Sequence, residues 1–593
     1  MQALDAITLR HTAAELNTLL AGSKVSKVQH PHADEFLITV WGGNKSDRKN
    51  HNLLYINLNP QFSFCSLINT AQKNACVLTT LHKPTSICML MRKHLANARI
   101  VSVTTHNNER IMDIHFENFS ELGNKVALVL SVELMGKHSN MIFYDNVQQS
   151  ILGVAHSVSE QMSQHRELTA GLPYAPPPKP PSKAPLSSVT QKEFEALLGT
   201  ITKDSWADCL NQRIEGWGKL LLGDAIAATD SPEALYALLN SLEKGEGLQP
   251  VLSANGERYS LLAKPEWRLC DSVLAMTRQY YLAQLNEKRL GRFRQRLSAA
   301  VATHQKKLKK QLEELKPVTE EDIEYLQHCG DLILTAHANG MLPSKPESGR
   351  SSIPHLATSK ENYLEIDPHL SWPQNAQIYY KRAKKARAKQ KTCDAMRQQV
   401  TSKARYYEEL QSMIIQADSL EDLTTLEEEL IAEGLAKPTV SMKGSGKREK
   451  QKMAGIATFI SSAEQNIYVG KTGQGNAQLV SRIAKPDDWW LHIQEMPGSH
   501  VLVKVKHAAK GPLDPQTLLE AANLAVYYSS ARASKNVPVI YTQAKHVRKI
   551  PDSWPGHVTY KQEQAVFITV DIGLIEHLSE SSQAQGESEQ DSV

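Results

Sequence analysis

From Leu9 to Leu20 the apolar residues of LRHTAAELNTLL recur every three or four positions, and that spacing predicts a helix. The period then shortens to two. KVSKVQH and EFLITVW alternate apolar with polar positions, and LLYINLN, RIMDIHF, KVALVLSVEL and MIFYD read as further strands. Between them PTSICMLMRKHL has helical spacing, with Pro84 in its first turn, where a missing N–H costs nothing. Residues 1–171 are therefore expected to form a mixed α/β domain. LPYAPPPKPPSKAP, at 172–185, holds too much proline for helix or sheet interior, and 172–189 reads as a stiff linker.

Residues 190–268 alternate helical patterns with short turns. IEGWG, at 214–218, fits the turn of a helix-hairpin-helix unit, whose glycines let backbone N–H groups approach a nucleic-acid phosphate. A plain connection between helices fits the same five residues. Over 269–435 two apolar stripes appear, Leu290, Phe293, Leu297, Val301, His304, Leu308, Leu312, Leu315 and then Leu410, Met413, Ala417, Leu420, Leu423, Leu426, Leu430. Separated by a proline-containing segment, they predict an antiparallel coiled-coil hairpin. The approach to the second stripe, KRAKKARAKQK at 381–391, carries seven cations in eleven residues and no acidic residue of its own. Such a run is either a solvated helix face or a phosphate-binding one, and the absence of a neutralising carboxylate within it favours phosphate. A basic linker is expected at 436–453, a compact α+β domain at 454–572, and a disordered acidic tail at 573–593.

The last domain holds the most unusual string, DDWWLHIQEMPGSH at 487–500. Strand alternation sends Trp489, Leu491 and Ile493 to one face and Trp490 and His492 to the other. Pro497 and Gly498 suit the centre of a turn. The second face is either a platform on which a base stacks or a wall packed against the helix EAANLAVYYSSARAS, and packing is the preferred reading. Ser499 and His500 have no Cys or carboxylate partner at a catalytic spacing.

Totals add limits. The net charge of +4 over 593 residues is mild, so partners must be read from local clusters. The seven cysteines are scattered and never form a CxxC pair, a reduced cytoplasmic pattern without a zinc site. No apolar run is long enough for a membrane span, and the first residues do not read as a signal peptide, so no membrane partner is expected.

The string DDWWLHIQEMPGSHVLVK, preceded by VGKTGQGNAQLVSRIAKP and followed by EAANLAVYYSSARAS, VIYTQAKHVRKI and PGHVTY, resembles the RNA-binding domain of the NFACT family. MLMRKHL, VELMGKHSNMIFYD and GLPYAPPP resemble that family's N-terminal domain, and NAQIYYKRAKKARAKQK and LEEELIAEG its coiled-coil region, all in the family's order. The resemblance implies a multidomain α+β chain whose N-terminal domain is similar to formamidopyrimidine-DNA glycosylase and is followed by a helix-hairpin-helix. It also implies a cytoplasmic, ribosome-associated factor without cofactor or metal. Such a factor binds a large ribosomal subunit carrying stalled peptidyl-tRNA, recruits charged tRNA (alanyl-tRNA in bacterial members) and directs untemplated C-terminal tailing of the nascent chain. A small ribosome-bound accessory protein belongs to the same expectation.

Site residues follow from the same resemblance. The family's Asp-Arg pair at a strand start falls here on Glu109 and Arg110, so the carboxylate stands one methylene further out. Arg110 keeps the planar guanidinium that pairs with phosphate or a base edge. Asp5, Arg92, Lys93 and His138 match acidic and basic positions of the tRNA-binding domain. Lys381, Arg382, Lys384, Lys385 and Arg387 would contact ribosomal RNA, together with Asp488, Trp489, Trp490, His492, Ser499 and His500 of the last domain. Two other functions compete. A DNA glycosylase needs an N-terminal proline and adjacent glutamate where this chain reads Met1-Gln2-Ala3. A cell-surface fibronectin-binding adhesin, a label some bacterial members have carried, lacks a visible export or anchoring signal.

Overall fold

The computed structural model describes the chain except residues 1, 43–51, 76–83, 107, 120–122, 179–181, 347–349, 352–363, 438–454, 506–511, 552 and 580–593. Most of the basic linker at 436–453 and most of the acidic tail thus lie outside the described residues. The chain is a multidomain α+β protein that divides into two compact units, one covering 1–292 and the other 293–437 with 449–593.

In the first unit the six predicted strands are joined by three that the sequence reading missed, Phe64–Ile68, Arg99–Thr105 and Ile151–Val154, in one nine-stranded sheet, and every pairing in it is antiparallel. Its order is β4 (Phe64–Ile68), β3 (Asn52–Asn57), β2 (Glu35–Trp41), β1 (Lys24–His32), β5 (Arg99–Thr105), β6 (Ile111–Phe119), β7 (Lys125–Glu133), β8 (Asn140–Asp145) and β9 (Ile151–Val154). Successive strands are neighbours except β4 and β5: the segment after β4, which includes helix Ser86–Leu95, brings the chain back so that β5 pairs with β1. Helix Ala6–Leu20 starts on Asp5, whose carboxylate caps it by accepting from the Thr8 amide at 2.8 Å. The second predicted helix begins at Ser86 with Thr85 as its N-cap, so Pro84 lies just before it and not in its first turn.

One apolar core links residues 4–143 with 186–285. The proline-rich stretch therefore does not separate two cores. Its start is bound to the sheet: the Leu172 carbonyl accepts from the Ile151 amide at 2.8 Å, and Tyr174 stacks on Tyr144 and donates to Glu133 at 3.1 Å. Proline leaves few free donors there, and the residues around it supply the bonds instead.

The second unit contains the far part of helix Val273–Glu314, then helices Glu320–Ala338, Trp372–Gln416 and Leu420–Ala432. Pairs from the two sides run in opposite directions. Arg294 donates to the Ala417 carbonyl at 2.9 Å, Arg397 to that of Leu315 at 2.8 Å, and Tyr380 to Asp331 at 2.5 Å. Gly330 allows the close approach, since a Cβ there would meet the Tyr380 ring at 2.9 Å. The second apolar stripe is split between two helices: the first ends at Ala417, and Ser419 caps the next. Heptad spacing continues across that break, which is why the stripe reads as one helix in sequence.

The C-terminal part of this unit is a six-stranded antiparallel sheet in the order Ile456–Ile460, Asn466–Gly470, Val501–Val503, Trp489–Ile493, Val537–Gln543, Gln564–Ile568. Helix Pro515–Tyr527 covers one face, contributing Ala521, Ala522, Leu524, Ala525 and Val526 to a core with Leu491 and Ile493.

Candidate RNA-binding surfaces

In the first unit the fold brings Asp5 and Arg110 to one corner. Arg110 stands where the turn 108–110 enters β6, held by its own carbonyl accepting from Leu134 at 2.8 Å. Its positive charge acts on Asp5, which is buried at the start of the first helix. Burial pushes the Asp5 carboxyl up to about 6, while the Thr8 hydrogen bonds and Arg110 pull the other way. The IEGWG turn closes the same corner. The Gly216 carbonyl accepts from the Ala6 amide at 3.0 Å and the Ile7 amide at 3.3 Å, and a Cβ on Gly216 would press on Asn108. This turn, at φ +86° for Gly216, meets helix Ala6–Leu20 instead of lying open to solvent. Glu109 is half-buried, its amide donating to the His106 carbonyl at 3.0 Å.

The other candidates of this unit stand apart from that corner. Arg92 donates to the Val28 carbonyl at 2.9 Å and so ties its helix to β1. Lys93 and His138 are exposed. No hydrogen bond or ion pair among the described residues joins the three to Asp5 or Arg110.

On the arm, Lys381, Lys384 and Lys385 are exposed, but two neighbours are paired with carboxylates outside their own helix. Arg387 lies 3.2 Å from Glu320 and Arg382 3.9 Å from Glu365. The run is thus partly neutralised by carboxylates distant in sequence, a compensation that reading the run alone misses. Both pairs are well exposed, so they hold the arginines weakly.

In the C-terminal domain the tryptophan alternation holds, but the second face meets something other than the anticipated helix. Trp489 is half-buried near Tyr541, with ring centres 5.8 Å apart. Trp490 is 1% exposed and packs with Leu479, Leu502, Ile540 and Val547 in a second small core. That core is roofed by the turn Leu479–Ile483 and the hairpin of Val547–Lys549 with Val558–Tyr560. Trp490 stacks on His492 at 5.8 Å and meets His500 edge-on at 5.2 Å. Asp488 is also buried. It pairs with Lys504 at 2.5 Å and accepts from the Lys485 amide at 2.6 Å. The buried Ser499 donates its amide to the Tyr528 carbonyl, and the His500 amide donates to Asn476. Asp488, Trp490, Ser499 and His500 are therefore all buried within the framework of the domain.

What that framework presents to solvent is cationic. Arg482, Lys485, Lys545, Arg548, Lys549 and Lys561 are all at least partly exposed on the turn, the hairpin and the segments beside them. The Lys545 amide donates to the Pro486 carbonyl, which ties the two segments together. Scattered over 80 residues of sequence, these cations show no run; only VRKI hints at them.

Burial holds the His492 and His500 imidazoles below the ordinary histidine range, His500 furthest, with the charge of His492 adding to the depression at His500. Because the folded-state value is depressed, their contribution to stability is complete above the unfolded histidine value of about 6.5 and is lost as pH falls below it. Imidazole resonances of both should titrate below the free-histidine value, and these two histidines should lower the domain's melting midpoint on going from about pH 7 to pH 5.

Residues 5–452 match the family described as NFACT N-terminal and middle domains, and residues 456–562 match the NFACT protein RNA binding domain. The chain belongs to the NFACT family. Relatives match end to end. The Rqc2 homolog RqcH of Bacillus subtilis (strain 168) is 26% identical over 584 residues, spanning 96% of this chain and 98% of the relative. That of Streptococcus suis (strain 05ZYH33) is 29% identical over 583 residues, spanning 95% and 98%. The N-terminal part of a fibronectin/fibrinogen-binding protein from Streptococcus suis covers 47% of this chain and 100% of that chain at 24% identity, with a TM-score of 0.40, too low to carry an argument. The second unit of this NFACT protein therefore carries the family's RNA-binding domain. The six described cysteines are free thiols, and among the described residues no cluster of His, Cys, Asp and Glu is arranged to hold a metal. No described helix is long and apolar enough to cross a membrane.

Proposed function

We propose that this protein acts in ribosome quality control as a non-catalytic RNA-binding factor. It would bind large ribosomal subunits that carry stalled peptidyl-tRNA, recruit charged tRNA, and allow the ribosome itself to extend the nascent chain without a template. The observation that carries this reading is the match of both NFACT regions in order along the chain, with RqcH relatives covered almost completely. The glycosylase-like reading of 1–171, the helix-hairpin-helix reading of 190–268 and the coiled-coil reading of 269–435 belong to the same proposal. Alanyl-tRNA is the proposed cargo by resemblance alone.

The corner formed by Asp5, Arg110 and the 214–218 turn is the proposed tRNA contact. Asp5 caps a helix and answers the guanidinium, so it would hold Arg110 in place while Arg110 meets phosphate or a base edge. Arg110→Ala should leave co-sedimentation with large subunits intact and reduce recovered tRNA by roughly tenfold, the worth of one charge-assisted contact. Arg110→Lys should restore it only in part, because an ammonium lacks the planar fork. Sequencing the RNA bound to tagged protein from translating cells tests the function as a whole. Recovery of ribosomal and transfer RNA supports it; a protein found at the cell surface and missing from ribosomal fractions would favour the adhesin.

A further inference from the structure

Within the second unit, three contacts hold the C-terminal domain against the base of the arm. At the hairpin tip, Trp554 lies between Tyr406 of the arm (5.7 Å between ring centres) and its own His557 (3.9 Å), and donates its indole N–H to Glu409 at 3.2 Å. Glu429, 1% exposed, accepts from the Tyr406 hydroxyl at 3.0 Å and from the Gln474 amide at 3.4 Å. A Cβ on Gly473 would collide with that carboxylate, so the glycine is what lets Glu429 reach the backbone. The third contact is Lys471, 2.8 Å from Asp418 and 3.2 Å from Asp422, where one helix of the arm gives way to the next.

The third contact brings its own cation, and the other two do not. Neither Glu409 nor Glu429 has an ion-pair partner among the described residues. The donors they face are neutral, a phenol, an indole and backbone amides. Of the other groups around them, Glu408 and Glu433 are like charges, His557 lies against Trp554, and Arg405 acts on His557. Withdrawing two carboxylates from water without a counter-charge is unfavourable, and a proton on each removes the cost.

We propose that Glu409 and Glu429 form a proton-dependent latch: the C-terminal domain closes on the arm base while both carboxyls hold protons and opens as they ionise. Burial pushes both carboxyls up to about 7, with neighbouring glutamates adding to the rise and the Tyr406, Trp554 and Gln474 hydrogen bonds opposing it. A carboxyl whose closed-state value lies above its open-state value favours closure at low pH. That advantage shrinks as pH rises from the open-state value towards 7 and is gone above it. His557 works the other way, because burial and Arg405 lower its value, so its protonation favours opening in acid. Between about pH 6.5 and pH 8 the histidine is mostly neutral and the carboxyls govern. Over that interval closure should weaken by about fourfold per carboxyl, or roughly 15-fold for the pair.

Amide hydrogen exchange on the full-length protein at about pH 6.5 and pH 8, corrected for the intrinsic rate, reads the latch directly. Protection at 473–478 and 547–560 should fall by roughly 15-fold at the higher pH, while helix Pro515–Tyr527 stays unchanged. In Glu409→Gln/Glu429→Gln the fall should disappear. Glu409→Gln alone, at a less buried position, should reduce the fall to about fourfold and serves if the double variant does not fold. Protection independent of pH in the wild type would overturn the proposal, and so would an equal fall in the variants.

Discussion

Trp490→Ala should destabilise the C-terminal domain by about 3–5 kcal/mol, the range for removing a large aromatic side chain from a packed core. The indole is 1% exposed and fills the space between the sheet and its hairpin roof, packed with Leu479, Leu502, Ile540, Val547 and Tyr560. His492 and His500 would also lose the ring that shields them. Chemical denaturation followed through the C-terminal transition measures the loss; the chain has several domains, so that transition must be resolved from the others. Trp490→Phe keeps much of the volume and should cost less. The alternative, a base-stacking platform, predicts the opposite pattern: unchanged stability with weakened RNA binding.

Trp490 also shows what the sequence made legible and where it fell short. Alternation in WWLHI separates the two tryptophans correctly, because a strand sends successive side chains to opposite faces whatever surrounds it. It does not say what covers each face. The helix that follows in sequence covers the Leu491 face, while the Trp490 face is covered by a turn and a hairpin too short to carry a periodic signal. The same limit applies to the arm. The apolar stripes predict two opposed sides, yet helix Glu320–Ala338 is missed, and so is Glu320 at its start, which pairs with Arg387. Ion pairs between distant segments leave no local pattern. In the first unit six of the nine strands were readable one by one, but their assembly into a single antiparallel sheet depends on strand pairing that periodicity does not encode. Asp5 and Arg110 lie 105 positions apart, and only the resemblance to a family joined them before the structure did.

Reversing the exposed charges should have the largest effect on binding. If the cations over the Trp490 core bind phosphates, Arg482→Glu, Arg548→Glu and Lys549→Glu together should lower RNA affinity by roughly 10- to 100-fold near physiological salt. The dependence of log affinity on log salt should become shallower by about three, one for each phosphate that no longer meets a cation. These side chains point to solvent, so the domain should melt as the wild type does, which separates this result from that of Trp490→Ala. Lys381→Glu, Lys384→Glu and Lys385→Glu on the arm form a second set. They avoid Arg387 and Arg382, whose replacement would also break the pairs with Glu320 and Glu365. Two surfaces gripping one large RNA make the second engagement effectively intramolecular, so disabling both should cost more than disabling either. Co-sedimentation with large subunits across a salt series provides the readout. An unchanged salt slope after the first set would move the RNA-binding face off the hairpin, and an unchanged slope after the second would leave the lysine run of the arm as a solvated helix surface.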